Sequence, residues 1–326
     1  MNECVYDRIK ATRNLPTPKG VALELLKLVR HPEASLGAIA AVVEADPAIS
    51  TRLLKLANSP HAGACQEVAS VNRAVGLLGM KAVTRLALCF SLLHDNRTGR
   101  CASFNYDLFW SDSLGRAAAA RVLVRRLHLV APDEAFTCGL LCQIGRLALA
   151  TVFPAEYGRL LEQAPEFDPA ALGRCERAEL AMDHAELAAA MMADWGLPAL
   201  FCQAVEAQIE PDATGIELGG AVNQLARLLQ LAGDVSAVLT HASAFRDVMS
   251  SMMMRANRLG IAPDVLPELF DLIRADWREA GQLLSIATAD VPSMAELYAE
   301  AQRLRQTIDD DDPRSAQIQE RQHALL

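Results

Sequence analysis

Cys138 and Cys142 lie four residues apart in CGLLCQIGRLALATVF, residues 138–153. On a helix they share one face and could hold a metal ion between two thiolates. The same spacing suits two small side chains packed in an interior, where unpaired cysteine is common. Gln143 beside Cys142 is the oddity, a polar amide at the centre of an apolar segment. His184, in MDHAEL, offers an imidazole to a metal or, one residue past a helix cap, to the backbone or Asp183. Arg73, Lys81 and Arg85 form either a phosphate-binding stripe or a solvated helix face, with 81 and 85 on one side. No Gly-x-Ser-x-Gly, phosphate-loop, Gly-x-Gly-x-x-Gly or Cys-x-x-Cys motif is present.

The elements that must position these residues are helices. Hydrophobic residues make up 52% of the 326 and aromatic residues only 5%. The apolar content is mostly Ala and Leu rather than the β-branched and aromatic residues of sheets, so an all-α protein of about two globular units is expected. A formal net charge of −9 opposes binding to phosphate backbones, which excludes nucleic acid as the expected partner. The N-terminus lacks the apolar core of a secretion signal, and no long run free of charges suits a membrane span. These features predict a cytoplasmic protein, and its eight scattered cysteines read as free thiols.

Punctuation along the chain sets the helix starts. Ser35, Asp46 with Pro47, Ser70 and Asp183 are expected N-caps, and Gly79 separates two helices. A helix after Tyr106 should turn Leu108, Leu114, Ala118 and Val122 to the core, and a further helix should run from Pro132 to Pro154. The methionines at 252–254 suit core packing. The expected organisation is a helical lobe over 1–95, a second over 104–260, helices over 261–291, and a charged tail over 292–326 whose acidic run at 309–312 reads as a solvated spacer.

Five segments in order then carry a resemblance. They are LPTPKGVALELLKLVRHPEASLGAIAAVVEADPAISTRLLKLANSP, SVNRAVGLLGMKAVTRLAL, FWSDSLGRAAAA, DEAFTCGLLCQIGRLAL and DHAELAAAMMADWGLP. Together, over roughly residues 10–260, they resemble an HDOD domain, a two-lobed helical fold related to the HD metal phosphohydrolases. Those enzymes hold divalent metal with a His, a His-Asp pair and a later Asp, and the cation acidifies an attacking water.

The resemblance implies where those ligands would stand. FWSDSL is similar to FWxHS, which puts Asp112 at the first His. GLLCQIGRL is similar to GLLHDIGRL, which puts Cys142 and Gln143 at the His-Asp pair. AVNQLARL places Asn223 at the last Asp, and ALFCQAVEAQIE after WGLP has none of the histidines the family often shows there. Neutral amides cannot bridge two cations, and a buried thiol without a positive neighbour stays protonated. The set is therefore read as degenerate, with no metal, no cofactor and no catalytic residue assigned.

What the resemblance implies is a non-catalytic bacterial regulatory module. It would act through a protein partner or output domain, or through a small ligand, in the setting of cyclic-di-GMP signalling. The resemblance also implies that the tail over 292–326 is a helical connector, with a homodimer through this C-terminal helix as a further expectation. The competing classes are a metal phosphohydrolase using Asp112, Cys142, His184 and Asn223, and a thiol sensor built on Cys138 and Cys142.

Overall fold

The structure, a computed structural model, describes residues 3–311 apart from 13, 30, 32–33, 60–65, 164–167 and 214, with side chains described over 5–303. Every regular element among them is helical. In the first lobe, α1 (Glu3–Ala11) precedes α2 (Gly20–Val29), α3 (Leu36–Glu44), α4 (Pro47–Ala57), α5 (Val71–Leu78) and α6 (Met80–Asp95). The starts follow local chemistry. The Ser35 side chain accepts from the Ala38 N–H, Asp46 accepts from Ala48 and Ile49 with Pro47 in the first turn, and Ser70 accepts from Arg73. Gly79, at φ +83°, makes the sharp corner between α5 and α6.

Helices α2 to α6 pack on one another, whereas α1 reaches further. The Tyr6 hydroxyl donates to Asp194 Oδ2 at 2.7 Å, and Lys10 pairs with the same carboxylate. Asp194 belongs to the second lobe. That lobe comprises α7 (Tyr106–Leu127), α8 (Pro132–Leu141), α9 (Ile144–Val152), α10 (Pro154–Gln163), α11 (Pro169–Leu180), α12 (His184–Asp194), α13 (Ala199–Ala207), α14 (Ala221–Thr240) and α15 (Phe245–Arg258). Then follow α16 (Leu266–Leu284) and α17 (Met294–Asp311).

Helix α7 is the axis of this lobe, packed against α8, α14 and α16. The sequence predicts one apolar face, but α7 buries residues all round, including Phe109, Ser113, Ala117, Ala119 and Val124, while Leu108 and Val122 are only half-buried. Small residues explain this, because they let neighbouring backbones approach from several sides. A Cβ added at Gly139 of α8 would stand 2.7 Å from the Arg116 carbonyl oxygen, and one at Gly115 would stand 2.4 Å from Ser236 Oγ on α14.

The expected single helix over 132–153 is two. It breaks at Cys142 and Gln143, where Gln143 has φ −105° and ψ 8°. The Cys142 carbonyl freed by the break accepts from Gln208 Nε2 of the turn after α13 at 2.9 Å, so tertiary contact supplies the hydrogen bond that the helix gives up. By length and composition Pro132–Val152 is apolar enough to cross a membrane, yet 83% of its most apolar window is buried inside the fold.

The polar stretch after α6 is tied down near its start. Asn96 accepts through its carbonyl from Trp110 Nε1 at 2.9 Å, and Arg97 donates to the carbonyls of Leu284 and Ser285 at the end of α16. The beginning of α17 also joins the core, where Met294 and Leu297 are buried and the Tyr298 ring meets Phe245 edge-on at 5.1 Å. Among the methionines at 252–254, Met252 is fully buried, Met253 half-buried and Met254 exposed. Of the acidic run at 309–312, Asp312 lies outside the described residues.

Candidate functional site

Asp112 lies on α7 one turn before Arg116, and Arg116 Nε donates to Asp112 Oδ2 at 2.8 Å. The pair is mostly buried, with side chains 12% exposed for Arg116 and 16% for Asp112. The guanidinium is pressed on the bare backbone of α14, since a Cβ added at Gly233 would meet Arg116 Nη1 at 2.6 Å. Cys142, at the α8–α9 break, lies close enough to feel both charges, and its Sγ–H donates to the Gly139 carbonyl at 3.1 Å.

Unlike the sequence expectation, then, the thiol does have a positive neighbour. Burial still dominates and pushes Cys142 up to about 11 against the pull of Arg116, so it stays a neutral thiol at physiological pH. Cys138, one turn earlier and equally buried, is likewise pushed well above the usual thiol range by burial. Asp234, also on α14, adds its charge beside Arg116 and pairs with Arg255 and Ser251. Burial outweighs those partners and raises it to about 6.

Gln143 and Asn223 are engaged elsewhere. Gln143 Nε2 donates to Gln208 Oε1 at 3.1 Å, and Gln208 in turn holds the carbonyls of Cys142 and Val205. Asn223, fully buried, clamps the preceding loop: it donates to the Pro211 carbonyl at 2.7 Å and accepts from the Gly219 N–H at 3.1 Å. Asp112, Cys142 and Gln143 are therefore neighbours around the α7 to α9 junction, whereas the hydrogen bonds of Asn223 run to residues 211–219.

His184 is locked by a different carboxylate from the one the sequence suggests. Asp183 caps α12, accepting from Ala185 and Glu186, and Glu186 returns a bond to the Asp183 N–H. The imidazole Nδ1 stands 2.6 Å from Glu176 Oε2, the backbone N–H of His184 donates to the same oxygen at 2.8 Å, and the Tyr157 hydroxyl donates to Oε1 at 3.1 Å. A carboxylate only accepts, so Nδ1 carries the proton in this arrangement. Burial alone would push Glu176 up, but His184 and nearby Arg146 hold it below the usual range.

A metal phosphohydrolase site does not fit these residues. At the positions to which the sequence resemblance assigns two imidazoles and two carboxylates stand Asp112, already paired with Arg116, a protonated thiol and two hydrogen-bonded amides. The Arg116 guanidinium lies beside Asp112 and Cys142, where it would repel a second cation. Among the described residues, no group of three or more His, Cys, Asp or Glu side chains is placed to hold a metal ion.

Sequence reasoning missed Arg116, Gln208 and Glu176. Arg116 had a readable signal, its (i, i+4) spacing from Asp112 on one helix. Gln208 and Glu176 had none, because their partners lie on other helices. Arg85, read as part of a phosphate stripe or a solvated face, is 12% exposed and pairs with Glu134 of α8 at 3.2 Å.

An all-helical fold of two lobes defines the class. Residues 15–211 match the HDOD domain, and the chain belongs to that family. Among solved structures, it is similar to the response regulator MmoQ of Methylococcus capsulatus str. Bath, at 36% identity over 79% of this chain and 98% of that one, with a TM-score of 0.49. An HDOD domain protein of Geobacter sulfurreducens shares 18% identity over 85% of this chain and 97% of its own, with a TM-score of 0.61. A candidate phosphohydrolase of Shewanella amazonensis SB2B shares 23% over 86% and 98%, with a TM-score of 0.65. These last two likenesses show the fold alone. A curated Treponema pallidum (strain Nichols) protein is 27% identical over 204 residues, 60% of this chain but 37% of that protein's length.

Thiol accessibility gives a direct check on the site. Of the described cysteines, Cys89, Cys101, Cys138 and Cys142 are buried and Cys175 is exposed. Iodoacetamide at pH 8 should therefore modify Cys175 in the native protein and leave Cys138 and Cys142 untouched until denaturant is added, as read by peptide mass mapping. Rapid native labelling of Cys142 would contradict the burial described and restore the thiol-sensor class.

Proposed function

We propose that this chain is a regulatory module that acts by binding a protein partner and does not hydrolyse phosphoesters. The observation that carries the reading is the Arg116 guanidinium, bonded to Asp112 and lying beside Cys142, so that a fixed internal cation sits among the groups a metal would need. Membership of the HDOD family and the 36% sequence identity to a protein named as a response regulator support the regulatory part. With no hydrolytic set, the fold contributes shape and surface, and signalling would pass through contacts made by the lobes and by the helical tail. A link to cyclic-di-GMP output, and self-association through residues 292–326, are finer parts of the same proposal.

Metal content and hydrolysis test it together. Protein equilibrated with Mn²⁺, Fe²⁺ or Zn²⁺ and then desalted should carry well under one metal per chain by elemental analysis. It should also leave bis-p-nitrophenyl phosphate and cyclic di-GMP intact. Stoichiometric metal that is lost in Asp112→Asn, with hydrolysis lost alongside it, would overturn the reading in favour of an atypical phosphohydrolase.

A further inference from the structure

A cavity of about 1080 Å³ opens between the two lobes, away from the degenerate site. Its walls come from α4, the segment before α5, the end of α5, α6, α7, α8 and α16. Neither Asp112, Cys142, Gln143, His184 nor Asn223 lines it. The volume matches or slightly exceeds that of pockets that enclose drug-sized molecules. Leu54, Leu86, Phe90, Phe136, Leu140 and Leu283 make much of the surface apolar, so the occupant must bring an apolar body.

The charged groups define the rest of the occupant. Lys55, Arg85 and Arg121 line the cavity, and so do Glu67, Asp133 and Glu279. Three cations facing three anions give no net positive field, which disfavours nucleotides and other polyanions. Arg121 is already committed: its Nε and Nη2 donate to Asp276, and its guanidinium lies over the Phe136 ring at 4.4 Å. Arg85 is not. It brings five N–H donors, yet the bond it makes runs from Nη1 to one Glu134 oxygen at 3.2 Å.

An under-bonded, mostly buried guanidinium beside an apolar cavity calls for one anionic oxygen acceptor. We propose that the cavity binds an amphipathic monocarboxylate, its apolar body against the leucine and phenylalanine wall and its carboxylate at Arg85. An acyl chain and an aryl ring share this chemistry. The proposal is independent of the partner-binding reading, since a protein that hydrolyses nothing can have this cavity filled or empty.

The test uses the full chain with octanoate and 2-naphthoate as probes, octan-1-ol and 2-naphthol as their uncharged counterparts, and cyclic di-GMP as a polyanion. Isothermal titration should give one site per chain, with a carboxylate binding about tenfold or more tightly than its uncharged counterpart, the gain expected of one charge-assisted hydrogen bond. Cyclic di-GMP should not compete. Whether octanoate or 2-naphthoate binds better identifies an acyl or an aryl occupant.

Arg85→Gln should erase the preference for the charged probe while leaving the apolar part of the binding. Leu86→Trp, which fills the cavity, should remove both, and circular dichroism and melting curves check that each variant is folded. Equal binding of acid and alcohol, an unchanged preference in Arg85→Gln, or no binding of either acid at millimolar concentration would each overturn the proposal.

Discussion

Replacing Gly145 with alanine is expected to destabilise the protein by about 3 kcal/mol or more, a shift readable in the urea midpoint. A Cβ at that position would lie 1.9 Å from the His184 carbonyl oxygen, 2.8 Å from its carbon and 2.9 Å from the Ala188 nitrogen. All three are backbone atoms, which cannot swing aside as a side chain can. Helix α9 would have to withdraw from the first turn of α12, disturbing the Asp183 cap and the contacts between His184 and Glu176. Gly37→Ala in α3 is the control, since nothing lies within 4 Å of its added Cβ. It should be neutral or stabilising by up to about 1 kcal/mol, because alanine is the better helix former. A Gly145→Ala protein as stable as the control would show that α9 and α12 do not meet through backbone.

Asp276→Ala is expected to cost about 3 kcal/mol. Arg121 Nε donates to Asp276 Oδ2 at 2.9 Å and Nη2 reaches the other oxygen, joining α7 to α16 through a fork of two bonds. The side chains are 9% and 5% exposed, so removing the carboxylate leaves a guanidinium with little water to replace it. Replacing both partners, Arg121→Met with Asp276→Leu, should recover most of the loss, because an apolar pair of similar volume needs no desolvation. Denaturant melts of Arg121→Met, Asp276→Leu and the double variant form the necessary cycle, with Asp276→Ala as the reference for the unpaired charge. If the double variant is as unstable as Asp276→Ala, the loss comes from packing rather than from an unpaired charge.

The all-helical class, several helix starts and the family could be read from the amino-acid order alone. Ser35, Asp46, Ser70 and Asp183 act within three residues of themselves, so their capping role does not depend on the rest of the chain. Cys142 and Gln143 side by side in GLLCQIGRL, and Asp112 in FWSDSL, were equally legible as an unusual polar set.

Tertiary structure decided what those residues do. Cys142 and Gln143 read as the interior of one helix, yet they sit at a break because Gln208, more than sixty residues on, takes up the freed carbonyl. Arg116 becomes the charge at the centre only because Gly233 of α14 leaves room for its guanidinium. Glu176 rather than Asp183 holds the imidazole of His184, since α11 turns back to bring it within 2.6 Å. Caps and periodicity are properties of neighbours in the chain, whereas ion pairs and buried hydrogen bonds depend on distances that only the packed helices set.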